Sequence, residues 1–315
     1  MQWLTRTPNF NFVKWRRVAM ATSTTLSLLA IVSVFYPGLN YGLDFTGGVL
    51  VQVRYPATPP VDEIRTELTE GGLVSAQVTS SSTDVLIRLP PPEGENGAEL
   101  GAEAVAAVRD RVLEVLRAHE PRVEFREAAN ISGQVGEELF ENAGLALLFA
   151  LIMIFIYVML RFRWKLAVGA IVATVHDVLV TTGVFAIMGW SFDLTVLGSI
   201  LAVLGYSIND TIVVYDRIRD NFRLMRRGTP EAIVNASVNQ TLARTLVTGV
   251  TTLLVLFAMI FLAGETLWGF SVALVIGIVV GTYSSIYVAS SMALALKVEV
   301  SDFVEAKKVH ADELP

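Results

Sequence analysis

The chain is 315 residues long, 53% hydrophobic and only 17% charged, with a mean hydropathy of +0.55 and a net charge of -6. A soluble domain carries about 25% charged residues, so an ordinary cytosolic enzyme is excluded, and the apolar content excludes low-complexity disorder. With no cysteine and three scattered histidines (His119, His176, His310), the chain offers no disulfide framework, thiol nucleophile or histidine-rich metal site.

A bilayer is crossed by about 20 apolar residues in a helix. Six such runs occur, at 18–36, 143–160, 166–188, 194–214, 245–263 and 267–296. The first follows Arg6, Lys14, Arg16 and Arg17 and ends in Val34-Phe35-Tyr36-Pro37. It lacks a small-x-small cleavage site and reads as an uncleaved anchor.

Residues 37–141 form a long interruption before the second run. They hold 18 acidic and 8 basic residues, against 12 and 16 in the rest of the chain. Two environments are implied. Within this segment Val49–Tyr55 reads as a strand, and Val61–Glu70 as a helix stopped by Gly71-Gly72. Val74–Thr79 and Asp84–Leu89 read as strands around a turn at Ser80-Ser81-Ser82, and Pro90–Gly97 as a loop. Ala98–Ala118 has helical spacing at Val105, Val108, Val112 and Val115, and Pro121–Glu127 reads as a last strand. The order β-α-β-β-α-β predicts a ferredoxin-like α+β domain.

The later loops alternate in charge. Arg161, Arg163 and Lys165 follow the second run, and Arg217, Arg219, Arg223, Arg226 and Arg227 follow the fourth. The tail carries Lys297, Lys307 and Lys308, while 189–193 and 264–266 carry no Lys or Arg. The positive-inside rule therefore predicts a cytoplasmic N-terminus (1–17) and tail (297–315), with the 37–141 domain outside. Asn209-Asp210-Thr211 matches a glycosylation pattern but lies in a membrane run, where that reading fails.

Ionisable groups inside a membrane are costly and mark functional candidates. Asp177, beside His176, lies roughly 15 Å into the third run at about 1.5 Å per residue. Asp210 sits in Ser207-Ile208-Asn209-Asp210-Thr211, and Arg244 opens the fifth run. Helical spacing gathers Ser199, Tyr206 and Asp210 on the fourth helix, Thr241, Arg244, Thr245, Thr248, Thr251 and Thr252 on the fifth, and Gly277, Gly281 and Ser284 on the sixth. These stripes predict one polar seam inside a bundle. In that seam Asp210 pairs with Arg244, and Asn209, Ser207, His176, Asp177 and Thr248 are secondary candidates. Burial penalises a charged carboxylate and a neighbouring guanidinium supports it; that competition suits a proton carrier. A pair that merely fixes helix register is the structural alternative.

Gly42-Leu43-Asp44-Phe45-Thr46-Gly47-Gly48 and Gly205-Tyr206-Ser207-Ile208-Asn209-Asp210-Thr211 resemble the corresponding segments of the SecF family of bacterial export membrane proteins. Asn239–Thr245 and Gly281–Tyr287 resemble the same family. The resemblance runs from the first helix to the sixth and is weak over 56–128. It implies a resistance-nodulation-division (RND) type bundle in the bacterial inner membrane. It also implies the proton gradient as driving force with no bound cofactor, and an intramembrane aspartate and arginine at Asp210 and Arg244. The implied hinge contains Asp44, Gly47 and Gly48. The implied partners are SecD, the SecYEG channel, YajC, an insertase, membrane lipid and a translocating polypeptide, with no nucleic acid. Sodium remains open as the ion, since Thr and Asn oxygens are near.

Two other functional classes compete with this reading. An RND-type small-molecule exporter would need a substrate pocket, for which about 100 external residues leave little room. An intramembrane hydrolase would use Asp177 with Asp210, or Ser207 with His176. Asp210 lacks a preceding Gly-x-Gly, and Ser207 lacks the second glycine of a nucleophile elbow. A non-enzymatic protein is expected.

Overall fold

The computed structural model describes residues 8–303 except 74–75, 82, 91–100, 132, 226–227 and 265–266. Arg6, Arg226, Arg227, Lys307, Lys308, the start of the Val74–Thr79 strand and the loop beyond Pro90 therefore lie outside the described residues.

Among the described residues, six helical segments are long and apolar enough to cross a membrane. They are α1 (Arg16–Ser33), α5 (Gly133–Arg161), α6 (Trp164–Met188), α7 (Leu194–Leu224), α8 (Pro230–Leu262) and α9 (Trp268–Ser284). The last continues through a wider turn at Ser285–Ala289 into α10 (Ser290–Ala295). Leu194 and Pro230 mark true helix starts: Asp193 and Thr229 accept hydrogen bonds from Val196 N and Ala232 N as N-caps.

Small residues let these helices approach closely, as expected where lipid supplies no hydrophobic drive between helices. A Cβ on Gly183 of α6 would overlap Ala30 of α1, and one on Gly277 of α9 would overlap Val203 of α7. Gly169 leaves room for Tyr215, whose hydroxyl donates to the Ala289 carbonyl at 2.9 Å.

α7 and α8 are longer than their apolar runs. At about 1.5 Å per residue they reach roughly 46 and 50 Å, against an apolar bilayer thickness of about 30 Å. Their extra turns pack on one another through buried Ile218, Phe222, Ile233 and Val234, and Asn221 Nδ2 donates to Ser237 Oγ and Gln240 Oε1, both at 2.9 Å. The described ends of the chain meet on this face. Asn239 Oδ1 accepts from Phe10 N and Asn235 Oδ1 from Phe12 N, each at 2.8 Å, while Phe303 lies against Phe222. Arg161 and Arg219 both pair with Asp216 here.

The separate domain lies at the opposite face. Its strands are β2 (Gly48–Arg54), β3 (Gln77–Ser81), β4 (Asp84–Leu89) and β5 (Glu124–Ile131), with helices α3 (Val61–Glu70) and α4 (Ala102–His119). The sheet order β3-β4-β2-β5 is wholly antiparallel, the ferredoxin-like arrangement. Val49, Val51, Val53, Val85 and Ile87 alternate inward against Ile64, Leu68, Val112 and Leu116. Ser80 and Ser81 belong to β3, not to a turn, because they pair with Val85 and Asp84. β5 runs on to Ile131, beyond the predicted Glu127, because β2 offers partners as far as Gly48.

Candidate functional site

The short stretch after α1 ties the domain to the bundle. β1 (Asn40–Tyr41) pairs in parallel with β6 (Ser191–Phe192), and the turn of helix α2 (Leu43–Thr46) follows. Asp44 Oδ2 accepts from Leu194 N at 3.2 Å, so this carboxylate caps the N-terminus of α7, where the helix dipole favours it. Phe45 is buried among Phe185, Phe192, Val196 and Ala273. Gly47 and Gly48 then turn into β2 with φ of 71° and 142°, backbone that glycine adopts without strain. Of the three predicted hinge residues, Asp44 is a fixed point on the bundle, and only the two glycines stand at the junction.

Inside the bundle the expected single seam divides into two polar groups. The first centres on Asp177 of α6, which is fully buried. Its Oδ2 accepts from Ser207 Oγ of α7 at 2.5 Å and from Ser284 Oγ of α9 at 2.6 Å. Its Oδ1 lies 2.9 Å from His176 Nδ1, while His176 Nε2 is buried without a partner among the described residues. The absence of a side chain on Gly281 leaves space beside Asp177 and Ser207. The Ser207/His176 dyad does not form. A serine nucleophile needs the imidazole as its direct partner, and here the carboxylate stands between the two.

The second group centres on Asp210 of α7, only 2% exposed, whose Oδ2 has no hydrogen-bond partner among the described residues. Tyr206, one turn away, directs its hydroxyl toward Thr248 and Thr252 without closing a hydrogen bond. Thr211 Oγ1 and Thr245 Oγ1 are likewise buried and unpartnered. α8 runs antiparallel to α7 with Gly249 against Tyr206, so Thr245, one turn back, stands level with Asp210. No hydrogen bond joins Asp177 to Asp210 among the described residues.

Arg244 departs from expectation. It is exposed on α8 and forms no ion pair with Asp210 or any other described residue. The reason is angular: one residue advances about 100° around a helix, so the face that buries Thr245 turns Arg244 outward. Asn209 and Thr248 are also exposed, and Thr248 donates to the Arg244 carbonyl at 3.0 Å.

An unpartnered buried acceptor costs about 1–3 kcal/mol. Asp177 avoids that cost and Asp210 does not. Asn235 and Asn239 hold the backbone of Phe10–Val13; Asn239 stands in the sequence only as part of the family-like segment Asn239–Thr245, and the i, i+4 spacing to Asn235 is the signal that joins the two. No group of three His, Asp or Glu side chains among the described residues could hold a metal ion.

The model for "Protein export membrane protein SecD/SecF, C-terminal" matches residues 111–299, and that for the "SecD/SecF GG Motif" matches 32–55. The protein translocase subunit SecF of Vibrio alginolyticus is 42% identical over 310 residues, covering 96% of each chain. The crystal structure of SecDF, a translocon-associated membrane protein from Thermus thermophilus, superposes with a TM-score of 0.76 at 39% identity over 94% of this chain. A super-membrane-facing form of SecDF superposes with a TM-score of 0.73 over 93%. This chain spans 39% of the length of either SecDF chain.

Proposed function

The chain belongs to the SecD/SecF family of protein export membrane proteins, and we propose that it acts as the SecF-type subunit of a bacterial protein translocase. In this reading it works with SecD and the SecYEG channel in the cytoplasmic membrane, both termini inside, and draws an unfolded polypeptide outward. The fused SecDF relatives, of which this chain spans two fifths, support SecD as the partner. The exposed polar residues Asn209, Arg244 and Thr248, set in apolar spans, suit a surface that a second six-helix half covers.

The observation that carries the mechanism is the unpartnered carboxylate oxygen of Asp210 in the bundle interior. Asp210 takes up a proton from one side and releases it to the other as the bundle changes shape. Moving one charge across the membrane is worth about 2.3 kcal/mol per 100 mV, enough to bias such a change. Arg244, now turned away, serves as the alternating counter-charge, reaching Asp210 in one state and leaving it in the other. Thr245, Tyr206 and Thr248 line the route. Gly47 and Gly48 pass the motion to the domain, while Asp44 keeps the linker on α7. The protein needs no bound cofactor and carries out no bond-breaking chemistry.

Inner-membrane vesicles containing the chain with SecD test this. Export should respond to an imposed proton gradient and not to a sodium gradient, and Asp210→Asn should remove the response without loss of complex assembly. A response to sodium alone, or an undiminished proton response in the Asn variant, contradicts the proposal.

A further inference from the structure

The external domain contains a groove that the coupling mechanism does not use. It lies at the end of the sheet where β2 leaves through Tyr55, between α3 and the turn after α4, and encloses about 430 Å³. Tyr55 is 8% exposed, and its hydroxyl is buried with no hydrogen-bond partner among the described residues. It lines the groove and faces Glu67 and Glu120.

The carboxylates around it differ in how they are satisfied. Glu120 is held by Arg122 through Nε at 3.0 Å and Nη2 at 3.2 Å, and its carboxyl lies below the usual range for that reason. Glu67 has no such partner among the described residues. The nearest basic side chain is His119, with Nδ1 at 3.9 Å, and that nitrogen is closer to the Val115 carbonyl, at 3.2 Å. Burial pushes the Glu67 carboxyl up, with Glu63 and Glu70 adding to the rise and His119 opposing it. Pro56, Pro59, Pro60 and Ile64 supply an apolar wall beside this acidic floor.

We propose that this groove binds the cationic side chain of a polypeptide segment. A lysine ammonium or arginine guanidinium donates to Glu67 and to the unpaired Tyr55 oxygen, and its aliphatic stem lies along the proline wall. Long basic side chains bury their stems in this way while the charged head finds polar partners. A metal ion is a poorer occupant, because no three ligating groups converge among the described residues. The segment is the translocating chain, and that identity rests on the export reading; the binding itself does not.

The full-length chain in nanodiscs of zwitterionic lipid is titrated by fluorescence anisotropy with a labelled Gly/Ser peptide carrying several lysines. A second titration uses the same peptide with every lysine acetylated. The free-lysine peptide is expected to bind about tenfold tighter or better, and Glu67→Gln and Tyr55→Phe each remove most of that difference. Glu70→Gln, outside the groove, preserves it. Carbodiimide coupling to the unsubstituted chain, located by mass spectrometry, gives a readout independent of variant folding, and the lysine peptide should join to Glu67 or Glu63. Equal binding of the two peptides, binding untouched by Glu67→Gln or Tyr55→Phe, or coupling only elsewhere overturns the proposal. Such a failure leaves gradient-driven export untouched, whereas loss of the export role leaves peptide binding to be judged alone.

Discussion

Asp177 and Asp210 lie on adjacent helices of one bundle, both buried, and their surroundings differ in one respect. Side chains from its own helix and two others converge on Asp177, and among the described residues none bonds to the buried oxygen of Asp210. Asp177 is a knot tying α6, α7 and α9 together, because a carboxylate accepting several hydrogen bonds is fixed in place. Asp210 meets α8 across a set of hydroxyls that do not close on it. The difference teaches that the cost of a buried charge does not by itself mark a working residue. The polar group left incomplete is the candidate for movement.

The contrast can be broken by substitution, and the largest effect is on activity. Asp210→Asn should reduce gradient-dependent export in vesicles to the level seen without the chain, while thermal unfolding in detergent stays unchanged or improves. Asp177→Ala should act in the opposite sense. It strands the Ser207 and Ser284 hydroxyls and should cost about 3 kcal/mol or more in unfolding measurements, lowering the yield of folded protein before any specific transport defect. Next in size, Gly277→Leu forces a side chain into Val203 and should destabilise the bundle by about 1–3 kcal/mol.

The smallest effect belongs to the external domain and sharpens the comparison outside the membrane. The Glu67 carboxyl is raised by burial, so its contribution to stability is present below the unfolded-state pKa and lost as pH rises through the folded value. Glu67→Gln should therefore raise the melting temperature of the domain slightly at neutral pH. That gain should vanish in acid, as thermal unfolding at the two pH values would show.

Much of this was legible in the chain itself. Val61–Glu70 and Asp84–Leu89 carry their periodicities openly and sit where the pattern places them, because each presents one apolar face to a single core. The six membrane spans were legible as apolar runs of bilayer length, but their ends were not. Hydropathy falls at Val214 and recovers near Thr245, yet α7 continues to Leu224 and α8 begins at Pro230. There Asn221, Ser237 and Gln240 bond to one another, a pairing that no hydropathy window records.

The site was legible in its residue types and not in its angles. Ser207, Asp177 and Ser284 were separate polar signals, and only the packing of three helices around Gly281 brings them together. Arg244 and Thr245 are neighbours in the chain, yet one faces outward and the other stands level with Asp210. Pairing Asp210 with Arg244 requires knowing how α8 is rotated, which is set by contacts such as Gly249 against Tyr206.

The claim on which the account rests is that Asp210 exchanges a proton while Asp177 does not. Infrared difference spectroscopy of the assembled complex, recorded with and without a proton gradient, addresses it directly. The account predicts a carboxyl band that changes with the gradient, disappears in Asp210→Asn and persists in Asp177→Asn. A spectrum in which the Asp210 carboxyl holds one protonation state throughout, or in which the changing band belongs to Asp177, would contradict it.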